Sequence, residues 1–294
     1  MKYSAFTVLL PDMNVDEVFR LLHELDYDGV ELRVKEDYHV PPDKILPRVK
    51  ELEALKARYG LEIPVLGTYL SVADREILMP VFEAAAILGS KGVRVSLGPP
   101  LNGQKPYWQL REEVQRELEA LIPSIQPFGV RAFFEIHFKT LIPSPSLAYL
   151  LMKEFDPAHV GVIFDPGNMI VEGAANWRVG VEVLGRYLAH VHIKNASWWK
   201  EETWRWRWDE LESGMVEWEE VMRALWSVKY DGYLSNENLK DVVLPGATGF
   251  IGEQLSEDSQ KPSKPIRKKL ADDLRYIKEL VAKVTAEPGR GKAK

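Results

Sequence analysis

The chain has 294 residues, 46% of them apolar, enough for one large domain with a sizeable core. Its net charge of −6 argues against a nucleic-acid partner, which needs a basic stripe, and no apolar run is long enough to span a bilayer. With no cysteine, the chain cannot use disulfides, thiolate metal sites or a Cys nucleophile; any metal must be held by Asp, Glu and His, and a reducing, cytoplasmic setting is expected.

Short β-rich runs alternate with helical patterns along the whole sequence. Ser4–Leu10 reads as a strand and Val15–Leu25 as a helix with Val18, Leu21, Leu22 and Leu25 on one face. Asp28–Val34 is the second strand, followed by a helix over Pro42–Tyr59, and Glu62–Thr68 the third, followed by a helix over Ala73–Leu88 that stops at Gly89. Gly92–Leu97 precedes a helix over Tyr107–Pro127, and Val130–Phe138 precedes one over Ser144–Phe155. Val160–Asp165 precedes a short helix over Ala174–Leu184, Arg186–Asn195 precedes one over Val216–Val228, and Gly232–Glu237 is the eighth strand, before a last helix over Ser263–Val284.

Eight strands, each followed by helical sequence and with no composition break, predict one α/β domain over residues 1–285, a single (β/α)8 TIM barrel. The tail, residues 286–294, is expected to be unstructured. Two stretches interrupt the rhythm. Ser197–Ser213 holds Trp198, Trp199, Trp204, Trp206 and Trp208, with Arg205 and Arg207 alternating as in an extended amphipathic segment. It is read as a subunit contact or a lid, with packing on the barrel as the alternative. Lys240–Pro262, rich in Gly, Ser and Pro, is a long connection.

Active sites of such barrels lie at the C-terminal strand ends. Four polar residues end apolar strands: Glu135, Asp165, His192 and Glu237. Three carboxylates and an imidazole on one lumen would repel or stay unpaired unless a cation joins them, and this oxygen-rich set suits Mn2+, with Mg2+, Co2+ or Zn2+ as alternatives. Each residue also has a plainer reading: Glu135 paired with an interior Arg or Lys, Asp165 capping the turn at Asp165-Pro166-Gly167, Glu237 solvated at a strand end. His190 and His192, two apart, point to one side, so the outer His192 is the candidate ligand and His190 an interior hydrogen-bonded residue. Lys194 continues that row and can meet a substrate oxygen or pair with Glu135 or Glu237. Glu31 and Arg33 share a face of the second strand, where an internal ion pair is the plain alternative to a lumen role.

Several motifs resemble the xylose isomerase-like TIM-barrel superfamily, in particular its sugar-phosphate isomerase and epimerase branch. They are Tyr27-Asp28-Gly29-Val30-Glu31-Leu32, Phe134-Glu135-Ile136-His137, Phe164-Asp165-Pro166-Gly167-Asn168-Met169, His190-Val191-His192-Ile193-Lys194-Asn195 and Tyr230-Asp231-Gly232-Tyr233-Leu234-Ser235-Asn236-Glu237, in family order. The resemblance implies one divalent metal on Glu135, Asp165, His192 and Glu237, with Glu135 and Glu237 also exchanging a proton with a small sugar, keto-sugar or polyol. His137, Asn168, Lys194 and Glu31 are the expected substrate contacts, and a homo-oligomer, dimer or tetramer, is implied. Asn168 and Asn195 depart from the His and Asp that many relatives carry there, which leaves the substrate and reaction open. The alternatives are an inosose-type dehydratase on the same metal site and a non-catalytic sugar-binding barrel.

Overall fold

The computed structural model describes residues 1–98, 101, 103, 105–173, 176–242 and 265–287. Seven parallel strands follow in chain order: β1 (Lys2–Phe6), β2 (Gly29–Arg33), β3 (Val65–Ser71), β4 (Gly92–Ser96), β5 (Arg131–Glu135), β6 (Val160–Phe164) and β7 (Leu188–Ile193). The chain then leaves the barrel as an antiparallel hairpin, β8 (Asn195–Lys200) and β9 (Trp204–Asp209), and returns as β10 (Tyr233–Asn236). β10 pairs with β7 on one side and β1 on the other, closing an eight-stranded barrel. Closure leaves no unpaired edge, so strands rich in Val, Ile, Leu and Phe are covered on both faces.

Outside lie α1 (Val15–Glu24), α2 (Val49–Tyr59), α3 (Arg75–Leu88), α4 (Tyr107–Ile125), α5 (Pro145–Met152), α6 (Pro166–Glu172), α7 (Trp177–Leu184), α8 (Trp218–Ser227) and α9 (Ile266–Thr285). Their starts follow from local chemistry. Asn14 and Glu17 form a reciprocal capping box on α1, and the Ser144 and Asn176 side chains cap α5 and α7. α2 and α3 end on Gly60 and Gly89 in the left-handed conformation. Among the described residues no helix is long and apolar enough to cross a membrane.

The lumen floor is apolar. Val65, Phe133 and Ile163 form a separate buried cluster, and the Phe133 ring fits because Gly92 and Gly161 flank it. A Cβ at Gly92 would lie 2.5 Å from that ring, and one at Gly161 2.9 Å from it. Above this floor the inward positions turn polar.

Several boundaries differ from the sequence reading. The first strand is Lys2–Phe6, and Thr7–Leu9 makes a 3-10 turn, its Thr7 hydroxyl accepting a hydrogen bond from the Arg33 amide. The helix expected over Pro42–Tyr59 is two 3-10 turns and then α2, because Pro42 and Pro47 have no N–H to donate to a continuous ladder. α6 was not anticipated at all. The tryptophan-rich stretch is the β8–β9 hairpin, with Trp198 opposite Trp206. Of the long connection expected over Lys240–Pro262, residues 243–262 lie outside the described residues, as do residues 288–294 of the tail.

Candidate active site

Strand ends place the polar side chains. Glu135 closes β5, Asp165 follows β6, His192 lies near the end of β7, Lys194 links β7 to β8, and Glu237 follows β10. One donor atom from each of Glu135, Asp165, His192 and Glu237 lies within 4.8 Å of the others, and all four residues are buried. The His192 Nδ1 edge faces this group, 2.9 Å from Glu237, 3.1 Å from Glu135 and 3.5 Å from Asp165. Its Nε2 edge points the other way, 3.1 Å from Glu31 Oε1, while His190 Nε2 is 2.9 Å from Glu31 Oε2. Glu31 therefore pairs with the two imidazoles, and the internal pair with Arg33 does not form. A carboxylate on the far nitrogen fixes the ring's orientation and tautomer.

Asp165 has the capping role considered for it, and its second oxygen faces a cation. Its Oδ1 accepts from the Asn168 amide at 2.8 Å and caps α6, while Oδ2 stands 2.8 Å from Lys194 Nζ. Lys194 Nζ is also 2.8 Å from Glu237 and 3.5 Å from Glu135. Arg94, on the inward face of β4, reaches Glu135 at 2.5 Å. The sequence reading missed Arg94, although a lone Arg amid Gly92-Val93-Arg94-Val95 has inward parity and carried the needed signal. Asn168 donates to Glu135 Oε1 at 3.1 Å and to the Ile136 carbonyl at 3.0 Å.

Charge decides what the cluster can hold. Four carboxylates meet here: Arg94 pairs with Glu135, Lys194 with Asp165, Glu237 and Glu135, and Glu31 with the two imidazoles, so with neutral histidines two negative charges are left uncompensated. Burial works against ionising His192, but Glu31 and Glu237 outweigh it and hold its pKa well above the ordinary value. Burial likewise opposes ionised Glu135, yet Arg94 and Lys194 keep it well below the carboxylate range; Glu237 is lowered by Lys194 and His192 against the same penalty. Asp165 goes the other way: burial pushes it up to about 6 despite Lys194. Glu135 Oε2 and Asp165 Oδ2 are buried without a hydrogen bond of good geometry, although each has a cation nearby. A dication with neutral His192 would balance the count and take up those oxygens, so the residues present fit a divalent metal.

A cavity of about 320 Å³ opens onto the cluster, lined among others by Arg94, Glu135, His137, Lys194, Trp208 and Glu237. Of the four expected substrate contacts, His137 and Lys194 border it; Glu31 and Asn168 are fully buried behind the cluster and do not. Trp206 meets Phe138 edge-on at 5.3 Å and Trp208 lies tilted against it at 6.3 Å, which sets the hairpin at the cavity mouth, and Trp204 faces solvent.

Gly167 holds α6 against the strand-seven end: a Cβ there would lie 2.5 Å from Lys194 Cγ and 2.9 Å from the Lys194 carbonyl oxygen. Gly167→Ala is expected to cost about 1–3 kcal/mol, since backbone must move. Urea denaturation checks this; an unchanged midpoint would refute the packing argument.

A profile of the family described as xylose isomerase-like TIM barrel matches residues 19–280. No curated protein sequence matches the chain significantly. Among solved structures, 3-keto-D-glucoside 4-epimerase from E. coli in its apo form superposes with a TM-score of 0.68 at 20% identity, over 94% of this chain and 99% of that one. D-psicose 3-epimerase with D-tagatose from Clostridium cellulolyticum H10 gives 0.71 at 15% identity, over 96% and 99%. A xylose isomerase-like TIM barrel protein from Mycobacterium smegmatis in complex with magnesium gives 0.69 at 17% identity, over 97% and 98%. At these identities the likeness is one of fold.

Proposed function

Since the chain belongs to the xylose isomerase-like TIM-barrel family, we propose that it is a divalent-metal-dependent isomerase or epimerase of a small sugar, keto-sugar or polyol. The observation that carries this is the meeting of Glu135, Asp165, His192 and Glu237, from four separate strand ends, beside a sugar-sized cavity. These four would hold the metal, with Mn2+ favoured by the three-oxygen, one-nitrogen set. When bound, a dication polarises a carbonyl and its neighbouring hydroxyl and so lowers the cost of an enediolate.

The chain's own residues do the rest. Glu135 and Glu237 border the cavity and are held ionised, so either can take a proton from a substrate carbon and the other can return one. Lys194 Nζ stands between them and can donate to an oxygen that gains negative charge. Glu31 acts through His192, fixing the ring, and Asn168 acts through Glu135, fixing its carboxylate. Both are positioning residues in this reading. Trp208 and Phe138 supply apolar surface for sugar C–H groups.

The test is metal analysis of protein purified without chelator or affinity metal, then a screen of keto-sugars and inososes with Mn2+ restored. About one dication per chain and a product of unchanged mass are expected. Product lighter by one water would assign a dehydratase instead, and a protein that takes up no metal and turns over nothing would remove the enzymatic reading.

A further inference from the structure

The cavity wall carries cations that the proton chemistry does not use. Arg33 closes β2 and is 5% exposed, its guanidinium stacked 4.0 Å from the Tyr38 ring and 4.8 Å from the Tyr69 ring. Arg33 Nε is buried with no hydrogen-bond partner. Among the described residues no carboxylate lies within ion-pair distance of Arg33 or of Lys35, whose ammonium is 5.6 Å from the same Tyr69 ring. Arg94 is the third cation about that ring, at 4.7 Å, and although Nη2 pairs with Glu135, Nη1 is buried and unpartnered. Burial and the charge of Arg33 push the Lys35 ammonium below its ordinary pKa.

Such a cluster needs an explanation. A buried guanidinium without a counter-ion is costly, and the chain as a whole is acidic at −6, so the cations are not a by-product of composition. All three line the cavity that Glu135 and Glu237 also line. A planar guanidinium with open donor positions fits the oxygens of a carboxylate or phosphate.

Building on the isomerase reading, we infer that the substrate is anionic: a polyhydroxy chain whose carboxylate or phosphate end rests on Arg33 and Lys35 while its reacting carbons face Glu135 and Glu237. The cavity of about 320 Å³ is at the small end for such ligands, which limits the chain to a single sugar-sized unit.

The probes are three inert polyols, sorbitol, gluconate and sorbitol 6-phosphate, titrated calorimetrically into wild-type protein with Mn2+ present. At least one acidic probe is expected to bind tenfold or more tighter than sorbitol, and which one does so separates carboxylate from phosphate. Arg33→Met with Lys35→Met should erase that preference and leave sorbitol binding unchanged. Because Arg33 is buried, Lys35→Gln alone is the second variant; it should cut the preference at least threefold in a protein with unaltered circular dichroism. Equal binding of all three probes, no binding of either acid, or a preference that survives these substitutions would overturn the inference. Mn2+-dependent turnover of neutral sugars without acid preference would remove this inference alone, whereas acid binding in a protein that never takes up metal would remove the isomerase reading alone.

Discussion

Glu237→Gln is expected to slow exchange of a substrate C–H with solvent deuterium by about 10²–10⁴-fold, the usual contribution of a positioned general base. Glutamine keeps the volume and one oxygen but cannot accept the proton. The effect should be large because Glu237 is 5% exposed and borders the cavity, so water has little room to substitute as base. Glu237 is also one of the four grouped donors, so the variant should bind Mn2+ more weakly. Exchange must therefore be measured by NMR at a Mn2+ concentration shown by titration to saturate the variant. Exchange within a few-fold of wild type at saturation would assign the base elsewhere, with Glu135 the next candidate.

Lys194→Met is expected to lower the stability of chelator-treated protein by about 3–5 kcal/mol, the cost of leaving a buried charge without its partner. Lys194 is 2% exposed and contacts Asp165, Glu237 and Glu135, so its loss would leave Arg94, paired with Glu135, as the remaining permanent cation of the cluster and Asp165 and Glu237 without one. Burial lowers the affinity of such an ammonium for its proton, but Asp165 and Glu237 more than reverse that, which is why Lys194 stays charged. Methionine fills nearly the same space, so packing loss should be minor. Added Mn2+ should stabilise the variant more than wild type, because it supplies the charge that the lysine no longer does. Urea denaturation of both proteins, with chelator and with Mn2+, reads this directly. Equal stability of the two in chelator would mean that Lys194 does not offset the cluster's charge.

The barrel was legible because each strand is a short apolar run bounded by turn residues, a local pattern. The grouping of Glu135, Asp165, His192 and Glu237 could be proposed because strand ends in this architecture share one face. Which nitrogen of His192 faces the group could not be read, since it depends on Glu31, 161 residues away in sequence. Glu31 and Asn168 lie behind the cluster for the same reason: strand parity gives the side a residue faces, and depth depends on register between strands. The cation wall was hidden differently. Arg33 and Arg94 each look like an interruption of an apolar strand, and only the shared Tyr69 ring brings them together. α6 was overlooked because Asp165-Pro166-Gly167 is strong turn chemistry, and the same aspartate and proline also start a helix well.

The pairing of Lys2 with Tyr233 and of Ala5 with Asn236 sets the order in which the protein can mature. The first and last barrel strands must find each other across 231 residues, Lys2 to Tyr233, a high-contact-order step that pays its loop-closure entropy before gaining its contacts. Glu237 sits one residue beyond that seam, so a nascent chain on the ribosome would lack the proposed proton-transfer pair until residue 237 of 294 had been made. On the proposed function, early-released fragments would be inert toward substrate, and clipping the first six residues would reopen the barrel beside Glu237, one of the two proposed proton-transfer groups.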